Sequence, residues 1–139
     1  MKLSTKGRYG VRLMVHLAMH VGEGPVFLKD IARHQDISEK YLWQLIQPLK
    51  ISGLVNSTRG AHGGYTLAKK PNEISLLQII QVLEGPICIV DCVDHPDLCK
   101  RSGHCSAREL WGEISGKISE ILGRVSLDEL AHKQQKREM

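Results

Sequence analysis

All four cysteines of this 139-residue chain lie in one stretch, CIVDCVDHPDLCKRSGHC, from Cys88 to Cys105. Three, six and five residues separate them. That spacing is neither the paired C-x-x-C of a zinc ribbon nor an even disulfide ladder. Thiolates bind soft metals, iron-sulfur clusters among them, and also oxidise reversibly to disulfides. Which chemistry applies depends on the compartment. The start, MKLSTKGRYG, puts charge and glycine where a secretion signal needs an unbroken apolar run, and no apolar run approaches the roughly 18 residues of a membrane span. The sequence therefore predicts a cytoplasmic protein, where thiols stay reduced and clustered cysteines serve more often as metal ligands or redox centres than as structural bridges.

The elements that must position this stretch are legible on both sides of it. Composition, with 42% hydrophobic and 24% charged residues, is that of an ordinary globular protein rather than a disordered or membrane one. Charge is unevenly spread: residues 1–70 carry eleven Lys and Arg against four acids, while the rest of the chain is mildly acidic. A basic half of this kind meets a polyanion or forms a solvated face. A first helix, beginning at Ser4 or Thr5, carries Leu13, Met14, Leu17, Ala18 and Val21 on one face. A short amphipathic helix over LKDIARH follows, then a tight turn in QDIS. Ser38 then caps SEKYLWQLIQPLKISG, whose Leu42, Leu45, Ile46 and Leu49 form a buried stripe.

Two short helices, a turn and a polar-faced second helix make a helix-turn-helix. Pro48 should bend or shorten the second helix near its end. The β-branched segments LVNST and GYTLA flank RGAHGG, whose glycines suit a hairpin turn, so the pair reads as a wing that can reach DNA through Arg59 and His62. A helix over LLQIIQVLEG, capped by Ser75, then leads into the cysteine segment, which lacks periodicity and reads as a loop held by something other than its own core. Beyond it, Trp111, Ile114, Ile118, Ile121 and Val125 fall at intervals of three and four, an apolar seam for a two-fold dimer or for packing on its own domain. A last short helix, capped by Ser126, should fade into a fraying polar tail. The fold class is thus mainly α: a winged helix-turn-helix over 1–85 with a small β-hairpin wing, a cysteine loop over 86–105, and a long dimerisation helix with a short C-terminal helix over 106–139.

MKLSTKGRYGVRLMVHLA, ISEKYLWQLIQPLKISGLVNSTRGAHGGYTLA and three cysteines followed by ELW resemble the IscR/NsrR/CymR-like family of winged-helix, iron-sulfur-sensing transcription regulators. The resemblance spans nearly the whole chain. It implies a homodimeric repressor of double-stranded DNA, bound at a pseudo-palindromic operator. It also implies an iron-sulfur cluster, 2Fe-2S or alternatively 4Fe-4S, held by Cys92, Cys99 and Cys105. On the DNA side it implies contacts from Ser38, Lys40, Tyr41 and Gln44 in the recognition helix and from Arg59, His62 and Gly63 in the wing, with Gln44 able to read an adenine edge. Two departures stand out. Arg108 occupies the place where the isc regulator supplies a histidine ligand, and Arg8 the place where other members supply an acid; a charged guanidinium ligates no metal. The fourth ligand is then Cys88, His95, His104, Glu109, a partner's His34 or a non-protein group. Trp43 stands where the isc regulator has a glutamate that tunes sequence preference. Two rival readings remain: the same fold with a zinc site or a thiol switch, in which Cys88 and Cys92 are the first pair expected to oxidise, and an electron-transfer or cluster-carrier protein. No nucleophile-base pair or phosphate-binding motif points to an enzyme.

Overall fold

The computed structural model describes residues 2–139. Seven α-helices and one hairpin follow the chain: α1 Thr5–Met19, α2 Leu28–Gln35, α3 Glu39–Ile51, β1 Val55–Thr58, β2 Gly64–Leu67, α4 Leu76–Glu84, α5 Asp91–Asp94, α6 Ser106–Arg124 and α7 Leu127–Glu138. Leu13, Met14 and Leu17 of α1 meet Ile31 of α2, Leu42, Leu45, Ile46 and Leu49 of α3, and Ile79 and Leu83 of α4 in one buried core. The helical spacing of these residues is what closes it. Val21 is not part of it: α1 ends at Met19, two residues before Val21, which is exposed. Among the described residues no helix is long and apolar enough to cross a membrane.

The helix-turn-helix is fixed by local chemistry at each joint. Asp36 turns the chain after α2 in the left-handed region, φ 54°, which Asp tolerates better than most residues. Arg12 of α1 donates to the Gln35 side chain and backbone carbonyl, satisfying the end of α2. Ser38 then caps α3, its Oγ accepting from the Tyr41 amide at 3.1 Å.

Pro48 neither shortens nor ends α3, which runs on to Ile51. In the last turn it forfeits only its own N–H, and the end is closed by Leu54 N donating to Leu49 O and Gly53 N donating to Lys50 O, both 3.0 Å. Gly53 supplies the positive φ of 82° that this closure demands, and Leu49 and Leu54 are both buried behind it.

The wing pairs Val55 with Leu67 through Thr58 with Gly64. It is tied back to the body by Val26, which exchanges amide bonds with Tyr65 at 2.9 and 2.8 Å. This contact sets the glycine requirement: a Cβ on Gly64, φ 137°, would lie 2.5 Å from the Val26 carbonyl oxygen.

The C-terminal segment is helical as far as Glu138. Leu76 N donates to Val125 O and Leu127 N to Ile74 O, at 2.9 and 2.8 Å, strapping the entry of α7 to the entry of α4. From there α7 returns to the core, where Leu127 is 0% exposed and Ala131 is buried.

Candidate nucleic-acid interface and cysteine site

Along α3 the buried stripe leaves Lys40, Trp43 and Gln44 on the solvent side, with Ser38 exposed at the cap. Ser38 therefore has two duties: its oxygen lone pair holds the α3 amide, and its O–H is free to donate to a phosphate. Tyr41 is half-buried. Its hydroxyl lies 3.1 Å from Thr5 Oγ1 and its ring meets Tyr9 edge-on at 5.9 Å, so it braces the recognition helix against the start of α1. The same Tyr9 ring carries the Arg8 and Arg12 guanidinium groups at 5.5 and 5.4 Å. Arg8, Arg12 and Thr5 thus adjoin the recognition helix through Tyr9 and Tyr41. Sequence reasoning missed them as a group, because the aromatic pair that gathers them joins residues 32 apart in the chain. Trp43 is 54% exposed, so core packing does not account for it.

Arg59 and His62 are both exposed in the five-residue turn between β1 and β2. Gly63 differs from them. It is buried, and a Cβ there would come within 2.3 Å of the Thr58 carbonyl oxygen, so its place is explained by closure of the turn.

A buried histidine sits behind this face. His16 of α1 is 4% exposed, with the His20 and His34 rings 4.7 and 5.2 Å from its own and Gln35 Nε2 3.2 Å from its Nδ1. Burial first, and the neighbouring His20 and His34 second, push its pKa down to about 4. It is neutral at pH 7.

The cysteine segment has more local structure than its aperiodic sequence predicts. Cys92 lies in α5; single 3-10 turns cover Pro96–Leu98 and Ser102–His104; Cys105 is the N-cap of α6. Cys88 Sγ donates to Val90 O at 2.8 Å, and Cys105 Sγ accepts from Arg108 N at 3.4 Å. Cys99 is exposed, the other three partly covered. What holds the first half of the segment is α6: Arg108 Nε donates to Cys92 O at 2.7 Å and its Nη2 to Val93 O at 3.1 Å, while the buried Ser115 Oγ accepts from Ile89 N at 3.1 Å. The donor chemistry suits a soft metal centre, with three thiols carried on fourteen residues. As placed, the thiols do not converge: among the described residues no group of three or more His, Cys, Asp or Glu is arranged to hold a metal ion. His95 and His104 are exposed on the same segment and share that result, and His34 lies beside His16 of its own chain.

Residues 3–133 match the model of one protein family, Rrf2, described as an iron-dependent transcriptional regulator. The chain belongs to the Rrf2 family. Among its relatives, the HTH-type transcriptional regulator CymR of Bacillus subtilis is 47% identical over 131 residues, 94% of this chain and 90% of that one. The solved structure of the same B. subtilis regulator, described as that organism's global cysteine regulator, superposes with a TM-score of 0.83 at 44% identity, covering 96% of this chain and 98% of that one. T. potens IscR superposes at 0.82 with 40% identity, covering 100% of this chain and 92% of that one. This Rrf2-family member is accordingly a transcriptional regulator built as a winged helix, and its relatives are regulators rather than enzymes.

Proposed function

We propose that the protein is a cytoplasmic, homodimeric repressor whose grip on a pseudo-palindromic operator is set by the state of its cysteine segment. Two heads place their α3 helices in successive major grooves, so the half-sites lie about one helical turn or a multiple of it apart. Lys40 and Ser38 hold phosphates, Gln44 reads an adenine edge, and Arg59 and His62 reach the backbone or minor groove from the wing. Dimerisation uses α6. Of its nineteen residues only Ser115 is buried within one chain, and Ile121 is 60% exposed. A partner that covers the Trp111, Ile114, Ile118 and Ile121 stripe accounts for this apolar exposure.

The observation that carries the reading is the placement of the cysteines between the head and that helix. Leaving α4, whose Ile79 and Leu83 are in the head core, the segment docks on α6 through Arg108 and Ser115. Anything that draws Cys92, Cys99 and Cys105 together pulls on both. We assign these three thiolates as ligands of an iron-sulfur cluster, 2Fe-2S before 4Fe-4S, with the fourth position filled from outside the set. The cluster would supply a response to iron supply, oxidants or nitric oxide. Anaerobic purification with iron and sulfide counts and an absorption spectrum tests the assignment. Visible charge-transfer bands and near-stoichiometric iron and sulfide are expected, and a colourless, iron-free protein after reconstitution contradicts it.

A second reading rests on the thiols' lack of convergence and on the likeness to the B. subtilis global cysteine regulator. In it the same thiols act as a reversible switch or a zinc site, with Cys88 and Cys92 the first pair to oxidise. Zinc is colourless and a disulfide releases no sulfide, so the same preparation separates the two.

A further inference from the structure

The cysteine segment is held at its two ends, by contacts of its first half with α6 and by Cys105 as the cap of that helix, and not between them. Three positions on α6, spaced four and three apart and so on one face, meet its first half: Arg108 donates to the Cys92 and Val93 carbonyls, Gly112 faces the Val93 side chain, and Ser115 accepts from Ile89 N. A Cβ at Gly112 would find Val93 Cγ1 3.8 Å away, ordinary contact distance, so the fit there is close without being strained. The second half has no such support. Among the described residues, every hydrogen bond made by 96–104 stays within 95–104, including both of Ser102 Oγ, to Pro96 O and Cys99 O. Cys99 sits exposed in the middle of it.

Arg108 also joins two thiol-bearing residues. Its side chain grips the Cys92 carbonyl while its own amide donates to Cys105 Sγ. A planar guanidinium can span two neighbouring carbonyls, which a single ammonium cannot do with the same geometry.

We infer that Arg108 is a positioning residue: it fixes the Cys92 turn beside Cys105 before anything binds, so that two thiols form a standing frame and Cys99 is the one that travels to complete the site. The inference rests on the reading of Cys92, Cys99 and Cys105 as a common site. On this account Arg108 does not fill the ligand position that a histidine occupies in the isc regulator. It lowers the ordering cost of assembling the site by holding one half of it already in place. A group that closes the site then needs to recruit a single mobile segment, and the motion it causes is confined to 95–104.

Site-resolved alkylation of the metal-free, reduced full-length chain tests this. Iodoacetamide labelling of each cysteine is followed by mass spectrometry, in the native protein and in Arg108→Lys and Ser115→Ala. Arg108→Lys keeps the positive charge near the thiols and loses the two-carbonyl grip, so a change in Cys92 labelling reports opening rather than altered thiol ionisation. Native Cys99 should label faster than Cys92. Arg108→Lys should raise Cys92 labelling by about tenfold, the scale of a lost charged hydrogen bond in a local opening, and leave Cys99 unchanged. Ser115→Ala should raise it less. Cys92 labelling at the native rate in Arg108→Lys, or equal acceleration of all four cysteines, overturns the inference. Iron and sulfide loading of the same variants keeps this separate from the metal reading. The labelling pattern holding in a protein that takes no iron defeats the cluster and leaves the positioning role intact; iron loading with unaltered Cys92 labelling does the reverse.

Discussion

The two ends of α4 open onto surroundings of opposite kinds. At its start, Ser75 and Gln78 form a reciprocal capping box, with bonds of 2.9 and 3.2 Å, and the helix drives Ile79 and Leu83 into a core shared with α1, α3 and α7. At its end, Glu84 accepts from Gly7 N at 3.0 Å and from the Ser4 hydroxyl, and beyond Gly85 the chain leaves that core. From Val90 to Cys105 no residue is buried. The head is held by packing, which is collective and hard to undo at one point; the cysteine segment is held by a few hydrogen bonds, each removable. A DNA-binding surface needs the first kind of construction and a sensor needs the second. Low local stability is where moving elements are found.

Substitutions that empty core space should separate the two regions most sharply. Leu45→Ala, at a fully buried position of α3, should cost about 2–5 kcal/mol of unfolding free energy in a denaturant titration, whereas Leu98→Ala, 64% exposed in the cysteine segment, should fall within roughly 0.5 kcal/mol of the native chain. Comparable losses at both would mean that the segment has a core of its own.

Acid should weaken the head. His16 is neutral in the fold, its pKa lowered from 6.5 to about 4, and takes up a proton more readily once unfolded. Its contribution is therefore fully present above pH 6.5, falls as pH drops from there to 4, and is flat below. The loss by pH 4 is about 3 kcal/mol from this group, and His16→Gln should flatten that part of the stability-pH curve.

On DNA, Gln44→Ala should relax discrimination at one base pair by about 1–3 kcal/mol, while Lys40→Ala should weaken all sequences alike and reduce the salt slope by about 1. The proposed dimer seam on α6 supplies a smaller test. Ile121→Ala should leave the unfolding of an isolated chain within about 0.5 kcal/mol, because the side chain is mostly exposed there, while shifting the monomer-dimer balance seen by analytical ultracentrifugation.

Much of the head was legible because its signals are local. Periodicity placed Leu42, Leu45, Ile46 and Leu49 inward, Ser38 and Ser75 announced their helices, and the glycines of RGAHGG marked the hairpin. What escaped was set by how individual helices end and by contacts distant in sequence. Val21 has an apolar side chain, yet α1 stops before it; Pro48 lies late enough in α3 for the closure at Gly53 to absorb it. The return of α7 depends on the strap between Ile74–Leu76 and Val125–Leu127, which no stretch of polar C-terminal sequence announces. In the cysteine segment the thiols were plain and their anchors were not. Arg108 was visible only as a missing ligand, and Ser115 carried no signal in the sequence, until the fold placed both against the backbone of 89–93.

We propose that the cysteine segment governs the head. The direct measurement is operator affinity of one preparation, anaerobic and iron-sulfur-loaded, then stripped of metal with its thiols kept reduced, at identical salt. A change of roughly 5- to 150-fold is expected, the range of an ordinary coupling free energy between two sites. Equal affinities in the two states would contradict the account.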